Sequence, residues 1–191
     1  SNLDQVIVKL RADREYPSAF AKVYRDGITA NNIIDAIATY ERTLVTPDAR
    51  FDRYLAGQLD AIDGLELAGY LRFKDYGCAS CHQGVLLGAN MYQRFGVMAD
   101  YFAHRQVNEA DLGRYNVTKL EEDRHVFKVP GLRNVAVTGP YFHDGSVATL
   151  EEAVMLMGRY QLGRDLSPED IAAITAFLKS LTGQWQGRTL E

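Results

Sequence analysis

The five residues Cys78-Ala79-Ser80-Cys81-His82 constrain this chain more than any other feature. Cys-x-x-Cys-His is the signature of a covalently attached c-type haem, in which two thiols form thioethers with the two vinyl groups of one porphyrin. The same Cys pair could form a redox disulfide or half of a zinc site. The redox alternative expects a βαβ context, and the zinc alternative needs further ligands, whereas the chain contains 2 cysteines. His82, placed to ligate the iron, therefore favours one covalent haem c.

The composition excludes several classes of protein. The formal net charge is −4 and there is no run of basic residues, so a nucleic-acid-binding role is not expected. No apolar run is long enough to span a bilayer, and the start carries no secretory signal. Because c-type haem is normally attached outside the bacterial cytoplasm, we expect a periplasmic location and a sequence that corresponds to a mature or truncated form.

Apolar residues recur at helical spacing through most of the chain, and no segment shows the clear alternation of a strand. Residues 29–45 are predicted to form one helix, which Pro47 ends. Asp63 and Glu66 form a variant of the capping box, which predicts the start of a second helix that runs to Gly77.

The last helix has the clearest boundaries. Ser167 is predicted as its N-cap, Pro168 as its first residue and Gly183 as its C-terminal stop. In a small cytochrome c the first and last helices cross, and a small residue on one helix lets an aromatic side chain of the other approach closely. Gly69 and Phe177 are the pair that we predict at this crossing.

Residues 84–146 lack periodicity and are rich in Gly, Pro, Asn and aromatic residues. So long an irregular segment is unusual in a compact domain unless it wraps something, and a haem would supply the apolar core that it needs. We therefore predict an all-α fold. It consists of a helical extension over residues 1–58 that packs on a cytochrome c-like haem domain over residues 59–191, in which the long segment wraps the haem.

The second axial ligand of the iron has several candidates. A methionine thioether is neutral and soft, so it favours ferrous iron and raises the reduction potential. Small cytochromes place this methionine just before the terminal helix, which leaves Met155 and Met157. Gly158 permits a turn directly after Met157, whereas Met155 is predicted to face the apolar core. The other candidates in the sequence are Met91, Met98, His104, His125 and His143.

Five ordered segments carry a more specific resemblance. They are YERTLVTP with FDRYL (40–55), GCASCHQG (77–84), FKVPGLRN (127–134), TGPYFHDGS (138–146) and LEEAVMLM (150–157). This set resembles the C-terminal half of the bacterial dihaem cytochrome c peroxidases, a family that includes the methylamine-utilisation dihaem enzymes. The family has two covalent haems, each with its own attachment motif, whereas this chain has one motif. The resemblance therefore covers the electron-input half and not the N-terminal, peroxide-reacting haem domain.

The resemblance also implies a set of ligands. His82 would be the proximal ligand and Met157 the distal ligand of a high-potential haem. The methylamine-utilisation members have Tyr at the Met position, so this chain resembles the peroxidases more than those members. A calcium ion would be bound in part by the backbone carbonyls of Thr138 and Pro140, which suits a hard cation. The alternative is a turn formed by Gly139 and Pro140 without an ion.

The function implied by the resemblance is that of an oxidoreductase. The chain would be the electron-transfer half of a periplasmic peroxidase that reduces hydrogen peroxide to water with electrons from a small cytochrome c or a cupredoxin. Since the N-terminal haem domain is missing, the chain alone is expected to be inactive, and a homodimer is one candidate assembly. The alternative is a single-haem electron carrier. His143 could be a catalytic base, but a loop residue near the haem interface is favoured, so no catalytic residue is assigned.

Overall fold

The computed structural model describes residues 2–190. Backbone contacts divide the chain into two compact units, one ending at Val45 and the other beginning at Thr46. Within residues 2–190, no helix is both long and apolar enough to cross a membrane. The boundary predicted between residues 58 and 59 stays a prediction.

The first unit is built from helices. They are α1 (Leu3–Ala12), α2 (Tyr16–Val23) and α3 (Ala30–Thr43). Thr29 caps α3, because its hydroxyl accepts a hydrogen bond of 3.2 Å from the backbone N–H of Asn32. This confirms the helix predicted over residues 29–45. Ile28 and Ile33 are buried. Other apolar residues of this helical segment are exposed, namely Ile34, Ile37, Tyr40 and Leu44.

The second unit contains longer helices, short 3₁₀ turns and short strands. The helices are α4 (Arg50–Leu55), α5 (Gly64–Asp75), α6 (Tyr115–Thr118), α7 (Leu150–Leu162) and α8 (Pro168–Lys179). The 3₁₀ turns are Cys78–Ser80, Ala110–Leu112, Glu121–Asp123 and Val135–Val137. The strands are β1 (Tyr92–Arg94), β2 (Val126–Lys128), β3 (Gln184–Trp185) and β4 (Arg188–Thr189).

The prediction of an all-α fold is wrong. About 48% of the residues are helical, and two small antiparallel sheets accompany the helices. Strand β1 pairs with β2, with Tyr92 opposite Lys128, and β3 pairs with β4 in a hairpin. Each strand has two or three residues, which is too short to show the two-residue alternation by which strands are found in a sequence. The β1–β2 pair organises part of the segment that was predicted to be a loop.

Helix α5 begins as the capping signal predicts. The side chain of Asp63 accepts a hydrogen bond of 2.8 Å from the N–H of Glu66, whose carboxylate accepts one of 3.0 Å from the N–H of Asp63. Glu66 is also buried and forms two hydrogen bonds with Arg50 of α4. Since an unpaired buried carboxylate would be strongly destabilising, this pairing ties α4 to the start of α5.

Helices α5 and α8 cross at Gly69, as predicted. A Cβ atom at position 69 would overlap the carbonyl oxygen of Ala173 and lie 2.9 Å from the Cβ of Phe177. The Phe177 ring is fully buried, and its centroid lies 5.0 Å from that of Phe51 and 5.2 Å from that of Phe73. Glycine therefore allows the two backbones to touch, and the aromatic core closes around the contact.

The end of the second unit is bonded to its beginning. The N–H of Gln184 donates to the carbonyl of Pro47 at 2.8 Å, and the N–H of Gly183 donates to the side chain of Asn134 at 2.9 Å. The Asn134 amide in turn donates to the hydroxyl of Thr46 at 2.9 Å. Helix α8 ends at Lys179, so the prediction that Gly183 stops this helix is wrong. Gly183 instead permits close backbone contact, since a Cβ atom there would overlap the carbonyl of Thr46.

Candidate haem site

One tight turn brings the attachment residues together. Helix α5 gives way at Gly77, whose φ of +90° lies in the region that favours glycine, to the 3₁₀ turn of Cys78–Ser80. The carbonyl of Cys78 accepts hydrogen bonds from the N–H groups of Cys81 at 3.3 Å and His82 at 3.0 Å. The turn therefore places both thiols and the imidazole within a single backbone loop that is closed by its own hydrogen bonds.

The two thiols are free rather than joined in a disulfide. Burial raises the pKa of Cys78 to about 11, so this sulfur keeps its hydrogen at neutral pH. Cysteines of redox motifs have a lowered pKa because the thiolate is the reactive form. The Cys78 environment therefore disfavours the redox-disulfide alternative. A protonated thiol is compatible with thioether formation, in which the sulfur and hydrogen add across a vinyl group with no atom lost.

His82 is held by two backbone carbonyls. Its Nδ1 lies 3.2 Å from the carbonyl oxygen of Pro130 and 3.3 Å from that of Leu87. Because a carbonyl can only accept, Nδ1 carries the hydrogen and Nε2 presents a free lone pair. Desolvation lowers the pKa of His82, although both backbone hydrogen bonds oppose it, so the ring is neutral as a metal ligand requires.

A cavity of ≈ 240 Å³ lies beside His82. Aromatic and aliphatic side chains supply much of its wall, including Phe51, Tyr70, Phe73 and Leu87. The donor set fits a c-type haem, since it combines two free thiols, a neutral imidazole with an available Nε2 and an apolar wall for a planar hydrophobic ring.

Met157 and Met155 both lie within α7, on different faces. Met157 is partly buried and packs against aromatic residues, whereas Met155 is 36% exposed. The prediction that Met155 faces the core is therefore wrong. The prediction of a turn at Gly158 is also wrong. Gly158 lies within α7, which continues to Leu162, and it packs against the side chain of Leu166 beyond the end of the helix. Met157 stays the predicted ligand, on the resemblance of the segment LEEAVMLM (150–157) to the family.

The side chains around Met157 form an aromatic cluster. The cluster consists of Phe95, Tyr101, Phe102, Phe127, Phe142 and Tyr160. The rings of Phe95 and Tyr101 are stacked with centroids 4.2 Å apart, and Tyr160 meets Tyr101 edge-on at 5.1 Å. The partly buried Met157 packs against this cluster. Sequence analysis missed it, because its members come from several segments without a common period.

A polar group lies behind the aromatic cluster. The Nε2 of His143 is 2.7 Å from a carboxylate oxygen of the buried Asp111, and Arg105 donates to Asp144 at 2.5 Å. Burial opposes ionisation of Asp144, but hydrogen bonds from Ser146 and Arg105 lower its pKa to about 2. Ligand atoms of Asp111, His143 and Asp144 lie within 4.8 Å of one another, yet each is paired with a protein group, so we assign no metal here. The interpretation of His143 as a loop residue near the haem interface stays a prediction.

The predicted calcium residues lie in a turn after Val135–Val137. The hydroxyl of Thr138 donates to the carbonyl of Val135 at 3.2 Å, and the peptide bond between Gly139 and Pro140 is cis. These features neither require nor oppose a bound cation. Calcium at the carbonyls of Thr138 and Pro140 stays a prediction.

The crossed helices α5 and α8, the Cys-x-x-Cys-His turn and the anchored His82 are the features of a c-type cytochrome domain. A family model described as di-haem cytochrome c peroxidase matches residues 1–60. Cytochrome c peroxidase Ccp of Escherichia coli (strain K12) is 48% identical over 180 residues, which cover 94% of this chain and 38% of the relative. The chain belongs to the dihaem cytochrome c peroxidase family.

Other relatives agree with this assignment. Cytochrome c551 peroxidase of Pseudomonas aeruginosa is 44% identical over 173 residues, covering 89% of this chain and 50% of the relative. Methylamine utilization protein MauG of Methylorubrum extorquens is 28% identical over 202 residues, which cover 99% of this chain and 55% of the relative. The crystal structure of a MauG-like protein associated with microbial copper homeostasis superposes with a TM-score of 0.77 at 27% identity, over 96% of this chain and 63% of that chain. The chain thus spans 38–55% of the length of these three relatives.

Replacing Met157 by His should abolish the weak far-red charge-transfer band of a methionine–iron bond in the ferric spectrum. It should also lower the reduction potential, because a second imidazole favours ferric iron more than a thioether does. Absorption spectroscopy and redox titration of the haem-loaded chain measure both effects. The matched control is Met155→Leu, which should keep the band at a cost below about 1.5 kcal/mol. Loss of the band in Met155→Leu, with its retention in Met157→Leu, would show that the assignment is wrong.

Proposed function

We propose that this chain is the electron-transfer part of a periplasmic dihaem cytochrome c peroxidase. It would accept electrons singly from a small cytochrome c or cupredoxin and pass them to a second haem domain, where hydrogen peroxide, two protons and two electrons give two molecules of water. The observation that carries the proposal is the attachment turn of Cys78–Ser80, followed directly by His82, which is neutral and anchored by two backbone carbonyls.

The residues of this chain would each have a defined part. Cys78 and Cys81 would hold the porphyrin through thioethers, and His82 and Met157 would fill the two axial positions of the iron. The haem, when bound, supplies a one-electron carrier. The aromatic cluster would exclude water from the Met157 side, and a dry, apolar surrounding favours the less charged ferrous state and thus a high potential.

The alternative function is a single-haem electron carrier. It is favoured by one observation, namely that the sequence contains the two cysteines needed for one covalent haem and no others. A second Cys-x-x-Cys-His upstream in the parent gene, or a native protein whose intact mass includes two haem increments, would support the peroxidase function instead.

The partners that we propose follow from the family. A second haem domain is the proposed partner of the exposed apolar side chains of α3, since the relatives are longer than this chain and the family match includes this helix. We also retain as proposals a homodimer, and a calcium ion held in part by Thr138 and Pro140.

The haem-loaded chain alone should show negligible steady-state turnover of hydrogen peroxide with a reduced cytochrome c as donor. The reason is that His82 and Met157 would both ligate the iron, which would leave peroxide no place to bind. The assay follows oxidation of the donor by absorbance, with haem-loaded protein from which adventitious metal has been removed. As a positive control, Met157→Ala should open the position and give a high-spin ferric spectrum that responds to peroxide. Sustained turnover by the unmodified chain would refute the proposal that this chain transfers electrons while a second haem domain reacts with peroxide.

A further inference from the structure

The backbone carbonyl of Leu87 lies 3.3 Å from the Nδ1 of His82, beside that of Pro130 at 3.2 Å. We propose that Leu87 is a positioning residue for the proximal histidine: its carbonyl is a second acceptor for the Nδ1 hydrogen of His82 and, with Pro130, sets the electron-donating strength of the imidazole. This proposal rests on the proposed haem function and adds to it a determinant of the reduction potential.

Leu87 adopts an unusual backbone conformation to present this carbonyl. Its φ is +48°, which lies in the left-handed region that a bulky side chain rarely adopts. Such a conformation persists when the surroundings over-determine it. Here the N–H of Leu87 donates to the carbonyl of Gly84, and the N–H of Gly88 donates to that of Gln83, both at 2.9 Å. The loop therefore folds back on the attachment turn and points the Leu87 carbonyl at His82.

The loop is fastened to the segment that carries the other acceptor. The carbonyl of Leu87 also accepts from the N–H of Leu132 at 3.2 Å, and the N–H of Ala89 donates to the carbonyl of Val129 at 2.9 Å. A Cβ atom at Gly88 would overlap the carbonyl of Pro130, so the two backbones are in direct contact. The positions of the two acceptors are thus linked.

Arg133 anchors this arrangement to α4. Its Nε donates to the carbonyl of Val85 at 2.7 Å, and its two terminal nitrogens donate to the carboxylate of Asp52 at 2.9 and 2.6 Å. A two-bond contact of this kind has a fixed geometry. The loop at residues 84–89 is therefore held at both of its ends.

The direction of the effect follows from ligand chemistry. An acceptor at Nδ1 withdraws the hydrogen towards itself and makes the ring a stronger donor at Nε2, which stabilises ferric iron and lowers the potential. Two acceptors also restrict rotation of the ring. Loss of the Leu87 carbonyl should therefore raise the potential and free the ring orientation, whereas loss of the Leu87 side chain alone should do neither.

Two substitutions separate the carbonyl from the side chain. Leu87→Ile keeps an apolar side chain but is β-branched, so it should abandon the left-handed conformation and move the carbonyl. Leu87→Asn tolerates that conformation but loses the packing of the half-buried side chain on the core. In the haem-loaded chain, Leu87→Ile should raise the midpoint potential and change the spread of the haem methyl shifts in the NMR spectrum. Leu87→Asn should not raise the potential, because the carbonyl stays in place and the more polar cavity wall favours ferric iron, and it should lower the melting temperature.

The outcomes distinguish the proposals. Covalent haem content, measured by intact mass, is the first check, and a wild-type chain without haem would refute the proposed function rather than this inference. If Leu87→Ile does not fold, Gly88→Ala provides a second variant, because its Cβ displaces the Pro130 carbonyl and should raise the potential in the same direction. A haem-loaded Leu87→Ile or Gly88→Ala with the wild-type potential would overturn the inference, as would a Leu87→Asn potential raised as far as that of Leu87→Ile.

Discussion

Replacing Cys78 and Cys81 together by alanine should leave a colourless chain that no longer unfolds cooperatively. Both thioethers would be lost, so no haem would remain after acid–acetone extraction. Residues 84–146 contain strands of three residues and short helical turns, and elements of this length are not stable without a core to pack on. Intact mass, absorbance of the extracted protein and thermal unfolding followed by circular dichroism measure the effect.

The single variants Cys78→Ala and Cys81→Ala are the controls for the double replacement. Each should keep one thioether, so its haem should remain bound after acid–acetone extraction. Its thermal stability should be lower than that of the wild type. A double variant that stays helical and unfolds cooperatively would show that the haem is not an essential part of the core.

Replacing Gly69 by alanine should destabilise the second unit by about 3 kcal/mol, the upper end of the cost of overpacking a core. The new methyl group would overlap the carbonyl of Ala173, which is backbone and cannot move aside without separating α5 from α8. Separation would also open the contacts of the fully buried Phe177. Denaturant unfolding of the haem-loaded chain gives the free energy directly.

Gly64→Ala is the matched control in the same helix. A Cβ atom at position 64 meets no atom within 4 Å, so this variant should be neutral or gain up to about 1 kcal/mol from higher helix propensity. Of the two alanine substitutions, only Gly69→Ala should lower the free energy of unfolding. Equal stability of Gly69→Ala and the wild type would mean that the crossing is looser than the structure describes.

Features with a local signal were predictable from the sequence. The caps at Asp63 and Ser167 mark the starts of α5 and α8, because a side-chain acceptor followed by helix-compatible residues is a strong boundary signal. The crossing of Gly69 with Phe177 was also predictable, since close approach of two helices requires a small residue. The haem motif is local too, and the structure presents it as a single turn.

Features that depend on tertiary contacts were not predictable. The pairing of β1 with β2 joins segments more than thirty positions apart, and three residues carry no recognisable alternation. The inward face of α7 is set by the aromatic cluster, so no local signal indicated that Met155 is exposed and Met157 partly buried. The acceptors of His82 are backbone atoms, whose positions follow from loop geometry rather than from residue type.

The hydrogen bonds that join Gln184 to Pro47 and Asn134 to Thr46 have an evolutionary consequence. A unit that starts and finishes at one place on its surface can be fused to another domain without opening its interior. Such a unit can be joined to other domains while its own haem-binding residues keep their contacts. The chain with both of its units matches relatives of different length, of which it covers 38% and 55%. Gene fusion can therefore change the neighbouring domains while the contacts inside this unit stay the same.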